Sequence, residues 1–129
     1  MDLEIKFFRW PDSGKDRLTV IARGVIDAEA MKQILSDIAE RTQHPFDGEV
    51  LIDLRNTTCS LNTVNIYAIA NELKQNLWPL ENKVALVSAR DIEQYDQILL
   101  LSSCVLSRDF KVAAFYDLDR ALQWLSQKS

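Results

Sequence analysis

Side chains able to take part in chemistry gather in one short stretch, Asp53 to Asn62, which reads Asp-Leu-Arg-Asn-Thr-Thr-Cys-Ser-Leu-Asn. The hydroxyls of Ser60, Thr58 and Thr57 are candidate phosphoacceptors, and a phosphate there would add ~1.5 to 2 negative charges beside a helix amino terminus. The same residue types cap helices, so Ser60 or Asn62 also serves to satisfy an otherwise orphaned backbone N–H. Cys59 lies at the same helix entry, where the dipole favours thiolate, but it has no Cys-x-x-Cys partner. Asp53 and Arg55 flank Leu54 and point to one face of an extended chain, a spacing that suits an ion pair shaping the loop more than contact with a ligand.

Other chemistries lack their parts. The single histidine, His44, stands beside Pro45: one histidine cannot make a multi-histidine metal site, and a Ser-His-acid triad would have to use it with nothing in the sequence to support that geometry. The acids show no calcium-loop spacing. Three glycines, at 14, 24 and 48, cannot build a phosphate-binding glycine loop. The expectation is a non-catalytic domain with no metal and no cofactor.

The elements around this stretch follow from hydropathy period. Val50, Leu51, Ile52 and Leu54 predict a strand buried on both faces, followed by a loop over Asn56-Thr57-Thr58-Cys59-Ser60 and a helix starting near Leu61. Such a junction leaves the carboxyl end of a strand for a helix amino terminus, where open α/β sheets offer their sites. Upstream, Leu3, Ile5, Phe7 and Leu18, Val20, Ala22 alternate with their neighbours across Pro11-Asp12-Ser13-Gly14, which predicts an antiparallel hairpin.

Asp27 then caps a helix that carries Met31, Ile34, Leu35 and Ile38 on one face and ends before Pro45 and Gly48. Downstream, Ile66, Ile69, Ala70, Leu73 and Leu77 form a second helical stripe closed by Trp78-Pro79, and Lys83 to Val87 a short buried strand. Asp91 and Gln94 have capping-box spacing for a third helix, apolar over a wide arc to Leu106. Lys111 to Tyr116 is the last strand, and Asp117 caps a closing helix with Leu118, Ala121, Leu122 and Leu125. The order predicts an α/β fold: a mixed, mostly parallel sheet with an amino-terminal antiparallel hairpin and four helices.

Composition bounds the rest. With 129 residues and 14.8 kDa, 47% apolar and 26% charged, the chain suits a single domain over 1–129 that buries roughly two thirds of its unfolded surface. A net charge of −4 and a pI near 4.9 disfavour nucleic acid, whose binding needs clustered Lys and Arg. No apolar run approaches the ~18 residues of a membrane span. The two acids near the amino terminus do not suit a signal peptide, and Cys59 and Cys104 read as reduced thiols, so a cytoplasmic location is expected.

Three local signatures in this element order, Gly24-Val25-Ile26-Asp27, Val50-Leu51-Ile52-Asp53-Leu54-Arg55 and Phe115-Tyr116-Asp117 with Ala121 and Trp124-Leu125, give the chain a resemblance to the STAS domain family. It resembles in particular the free-standing bacterial, SpoIIAA-like anti-sigma-factor antagonists, related to Sec14-type lipid-binding folds. The resemblance covers nearly the whole chain and implies a STAS-like sandwich acting by binding, to proteins in regulatory switches and to nucleotides or lipid-like ligands in some branches. In the phospho-switch branch a serine lies in an Asp-Ser-Ser-Gly pattern after the central strand. Here the matching region is Thr57-Thr58-Cys59-Ser60-Leu61-Asn62, in which Ser60, or less closely Thr58, stands in for that serine without its Asp and Gly.

Two binding modes follow. In the first, a protein partner meets an interaction loop containing Arg55, Asn56, Cys59 and Asn62. In the second, Ile66, Tyr67, Ile69, Ala70, Ile98, Leu101 and Val105 on the two middle helices enclose an apolar pocket for a lipid-like small molecule, although such stripes ordinarily form core. Trp10 and Trp78, next to prolines at element ends, are candidate anchors for a protein contact or a homodimer.

Overall fold

A computed structural model of the chain describes residues 3–12, 15–42, 48–75, 83–105 and 111–127; for 10–12, 15–16, 73–75 and 105 it describes the backbone alone. The elements run β1 (Glu4–Asp12), β2 (Lys15–Ile26), α1 (Ala28–Arg41), β3 (Glu49–Cys59), α2 (Thr63–Gln75), β4 (Lys83–Ser88), α3 (Ile92–Val105), β5 (Lys111–Phe115) and α4 (Leu118–Ser126). They form one five-stranded sheet in the order β1-β2-β3-β4-β5. The β1–β2 pair is antiparallel and the other three are parallel. The expected architecture is the one observed. Ser13 and Gly14, His44 and Pro45, Leu77 to Pro79, and Leu106 lie outside the described residues, as do the side chains of Trp10, Leu73 and Val105.

Because each parallel strand is laid down next to its predecessor in one direction, right-handed crossovers put α1, α2 and α3 on the same face of the sheet. Met31, Ile34, Leu35 and Ile38 of α1, Ile66, Ile69 and Ala70 of α2 and Ile98 and Leu101 of α3 pack there with Val20, Ala22, Val50, Ile52 and Leu54 from the strands. Fully burying each such Ile or Leu contributes ~1.5–3 kcal/mol. The opposite face is covered by α4, whose Ala121 and Leu125 meet Leu51, Ala85 and Val87. Strands β3 and β4 thus have apolar residues on both faces, which accounts for their unbroken hydropathy. Among the described residues no helix is long and apolar enough to cross a membrane.

The helix ends are fixed by local chemistry. Asp27 accepts from the Ala30 N–H at 2.9 Å, and Thr42 Oγ1 donates to the Ile38 carbonyl at 2.9 Å at the other end of α1. Asp117 accepts from the Asp119 N–H at 2.9 Å, and Lys83 Nζ donates to the Trp124 carbonyl near the end of α4, where a cation meets the negative pole.

One expectation is corrected. The stretch Asn56 to Cys59 is strand, not loop, so Arg55, Asn56 and Cys59 belong to β3 and only Ser60 to Asn62 connect it to α2. The cause lies in β2, which runs to Ile26 and pairs with β3 through Gly24↔Thr57, Val25↔Thr58 and Ile26↔Cys59, ending with Ser60 N–H donating to the Ile26 carbonyl at 2.8 Å. The register jumps from Ile21↔Asp53 to Arg23↔Asn56, so Leu54 and Arg55 together oppose Ala22 in a β-bulge. Gly24, at φ 116°, takes a conformation beside the bulge that a Cβ would disfavour. The extra residue resets the alternation: Ile52 and Leu54 face the three-helix core before it, and Thr57 and Cys59 are buried after it.

A candidate interaction face at the carboxyl end of the sheet

The bulge frees polar groups from the ladder, and side chains take them up. Thr57 Oγ1 donates to the Leu54 carbonyl at 2.8 Å, and Gln94 Nε2 lies 3.4 Å from both that carbonyl and Thr57 Oγ1. The Gln94 side-chain oxygen accepts from the Cys59 N–H at 3.3 Å. Gln94 therefore does not reach back to close a capping box. Asp91 caps α3 alone, accepting from Glu93 N–H at 3.1 Å, while Gln94 is buried against the end of β3. On the other face Asp53 accepts from the Arg55 N–H at 3.1 Å and holds its guanidinium through two contacts of 2.9 Å. That hydrogen bond, with the adjacent negative charge, raises the Arg55 pKa further above its ordinary value against a smaller effect of burial.

These anchors sort the candidate hydroxyls. Thr57 is buried and engaged, whereas Thr58 and Ser60 are exposed. Cys59 is 7% exposed, and burial pushes its thiol above the ordinary value although contact with Thr57 Oγ1 acts the other way. The helix dipole does not win here because the side chain is turned into the core rather than towards the start of α2. Asn62 caps α2: its Oδ1 accepts from the Asn65 N–H at 2.8 Å, and Asn65 Oδ1 accepts from the Asn62 N–H at 3.2 Å, a reciprocal pair with asparagine at both positions. Leu61 is buried beneath this turn.

The first turns of α2 present apolar side chains to both sides. Ile66, Ile69 and Ala70 enter the core, while Val64 is 75% and Tyr67 55% exposed. Ile98 and Leu101 of α3 are in the same core, so the residues named for an apolar pocket divide into packed ones and the outward Tyr67.

A second feature was not legible in the sequence apart from Arg55. A cleft of about 400 Å³ opens at the carboxyl ends of β4 and β5, beside the bulge of β3, and is lined by Arg55, Ser88, Arg90, Tyr116, Asp117 and Asp119, among others. Tyr116 is held edge-on to Tyr95 of α3, ring centroids 5.3 Å apart. The cleft carries charges of both signs, and the α4 amino terminus within it is already occupied by the Asp117 carboxylate. The signal for it was topological: successive parallel strands must end side by side. Among the described residues no group of three metal-ligating side chains converges.

No family model matches the sequence, and no curated protein matches it. Among solved structures the chain is similar to an uncharacterized protein of the DUF3478 family from Shewanella loihica PV-4, described as having a SpoIIAA-like fold. Identity is 14%, the match covers 97% of this chain and 96% of that one, and the TM-score is 0.63. That likeness over nearly the whole length, together with the strand order, one antiparallel pair and four helices seen among the described residues, identifies the architecture: this chain has a SpoIIAA-like, STAS-type fold.

Proposed function

We propose that the domain acts in the cytoplasm as a non-catalytic regulatory module, like an anti-sigma-factor antagonist, and receives a protein partner where β3 passes into α2. The observation that carries this reading is the double-sided apolar character of α2. Val64 and Tyr67 project outward from the first turns of α2, just after the exposed Ser60 in the chain, while the opposite side of the same helix already fills the core. An exposed aromatic with an aliphatic neighbour and a polar border is the usual make-up of a protein-contact centre. The capped turn at Asn62 and the Gln94 bonds give this surface a fixed shape, which reduces the ordering cost of association. A phosphate on Ser60 would place charge at the edge of the contact and so control it.

The carrier reading draws less support, because Ile66, Ile69, Ala70, Ile98 and Leu101 already fill the space between helices and sheet. The net charge of −4 gives no support to a nucleic-acid partner.

The test uses a photo-crosslinking amino acid in place of Tyr67, with Gln33 on the exposed side of α1 as control position. The expected result in the native cell is a discrete protein adduct from position 67 alone, weakened by Val64→Asp and altered by Ser60→Asp. Identical adducts from both positions would refute the contact face, and a hydrophobic small molecule retained in native mass spectrometry would favour the carrier instead.

A further inference from the structure

The sheet has two edges, and they are built differently. Edge strand β1 is guarded: it carries Glu4, Lys6 and Arg9, and Pro11 interrupts its donors. At the other edge β5 reads Lys-Val-Ala-Ala-Phe and, among the described residues, pairs only with β4. Small side chains at Ala113 and Ala114 leave its backbone open to approach. Beside this edge α3 turns a stripe of apolar residues outward at helical spacing, with Ile92 81% exposed, Leu99 also exposed and Tyr95 half-buried against the exposed Tyr116. Neither the core nor the proposed contact at α2 makes use of Ile92 or Leu99, and an open strand edge flanked by apolar surface is a template for another strand.

We infer that β5 is the dimer edge of this protein: a second copy pairs with it antiparallel about a two-fold axis, joining the two sheets and bringing the α3 stripes together. Charge and shape single out a second copy. A register centred on Ala114 and continued two residues past Phe115 sets Lys111 opposite the partner's Asp117, the acid that also caps α4, and Tyr116 opposite the partner's Val112. Lys111 stands beside Lys83 in the β4–β5 register, an unfavourable like-charge neighbour that a carboxylate on the free side offsets. Tyr116 lies on the α3 side of the sheet, as its contact with Tyr95 requires, and so reaches the partner's helical layer. A five-residue edge spans only ~17 Å, so the helix stripe supplies much of the roughly 1,000 Å² a specific interface needs.

Light scattering on the purified full chain from about 1 to 500 µM tests this, since interfaces of modest size associate in that range. The expected mass rises with concentration towards twice 14.8 kDa. Ile92→Asp and Leu99→Asp, placed at exposed positions and checked for folding by circular dichroism, should each weaken the dimer by about tenfold or more, as should Lys111→Glu at low salt. Tyr67→Asp, on the other proposed face, should leave the dimer intact. A mass of 14.8 kDa at every concentration overturns the inference, and so does a dimer indifferent to both α3 substitutions.

Discussion

The side-chain oxygen of Gln94 accepts a hydrogen bond from the backbone of Cys59 at 3.3 Å, across 35 positions of sequence, while its amide nitrogen serves the carbonyl that the bulge exposes at Leu54. A helix side chain thereby replaces bonds that the sheet ladder gives up. Gln94→Leu keeps the volume but leaves the buried Cys59 N–H unsatisfied, while the Leu54 carbonyl keeps only the Thr57 hydroxyl, so it should destabilise the domain by ~1–3 kcal/mol in urea unfolding. Gln94→Glu should also destabilise, since a carboxylate can accept from Cys59 but not donate to Leu54. Wild-type stability in both variants would show that water supplies the bonds equally well.

Asn62, not Ser60, starts α2. Asn62→Ala is expected to cost ~1 kcal/mol and Asn62→Asp much less, because the acid keeps the oxygen that Asn65 N–H uses. Ser60→Ala should fall within about 0.5 kcal/mol of wild type, as an exposed substitution away from a cap. Thermal unfolding of the three variants checks the ranking, which reverses if the serine carries the cap.

The Asp53 and Arg55 pair combines a side chain only 9% exposed with one 43% exposed, so screening limits its worth while burial of the acid makes it costly to orphan. Arg55→Ala should destabilise by ~1–2 kcal/mol, and Asp53→Asn by a similar or smaller amount, because an amide oxygen still accepts from the Arg55 N–H. The double variant should lose less than the sum of the two, and additive losses would mean that the pair is not coupled.

Burial raises the Cys59 pKa above its ordinary value of 9.0. The folded state then holds this proton more tightly than the unfolded one, so the stabilising contribution is complete below the unfolded value and declines as pH rises through the folded one. Urea unfolding above about pH 9 should show this extra decline in wild type and not in Cys59→Ala. The thiol should react slowly with disulfide reagents at neutral pH, and fast modification of the native protein would contradict its placement.

Period and punctuation disclosed the elements because their causes are local. Asp27 and Asp117 cap the helices they precede, and Met31, Ile34, Leu35 and Ile38 share a face because 3.6-residue spacing puts them there. What stayed hidden depends on distant partners. Asn56 to Cys59 has the composition of a turn, yet it extends because β2 lies beside it as far as Ile26, and only the β-branched Thr57 and Thr58 hinted at strand. A bulge has no composition of its own, so neither the rephasing after Leu54 nor the recruitment of Gln94 could be read in advance. The cleft behind Arg55 was invisible for the same reason, its walls coming from the bulge of β3 and the ends of β4 and β5, far apart in the chain.

Strands that stand in the sheet in the same order as in the chain have a consequence for biosynthesis. Every strand after the opening hairpin finds its neighbour already translated, so growth proceeds by addition at one side and never requires insertion between paired segments. The last strand to be made is β5, and until it docks, the bare side of β4 is the growing front. A chain ended before Lys111 and released would therefore be vulnerable along β4, while its first two strands are already joined.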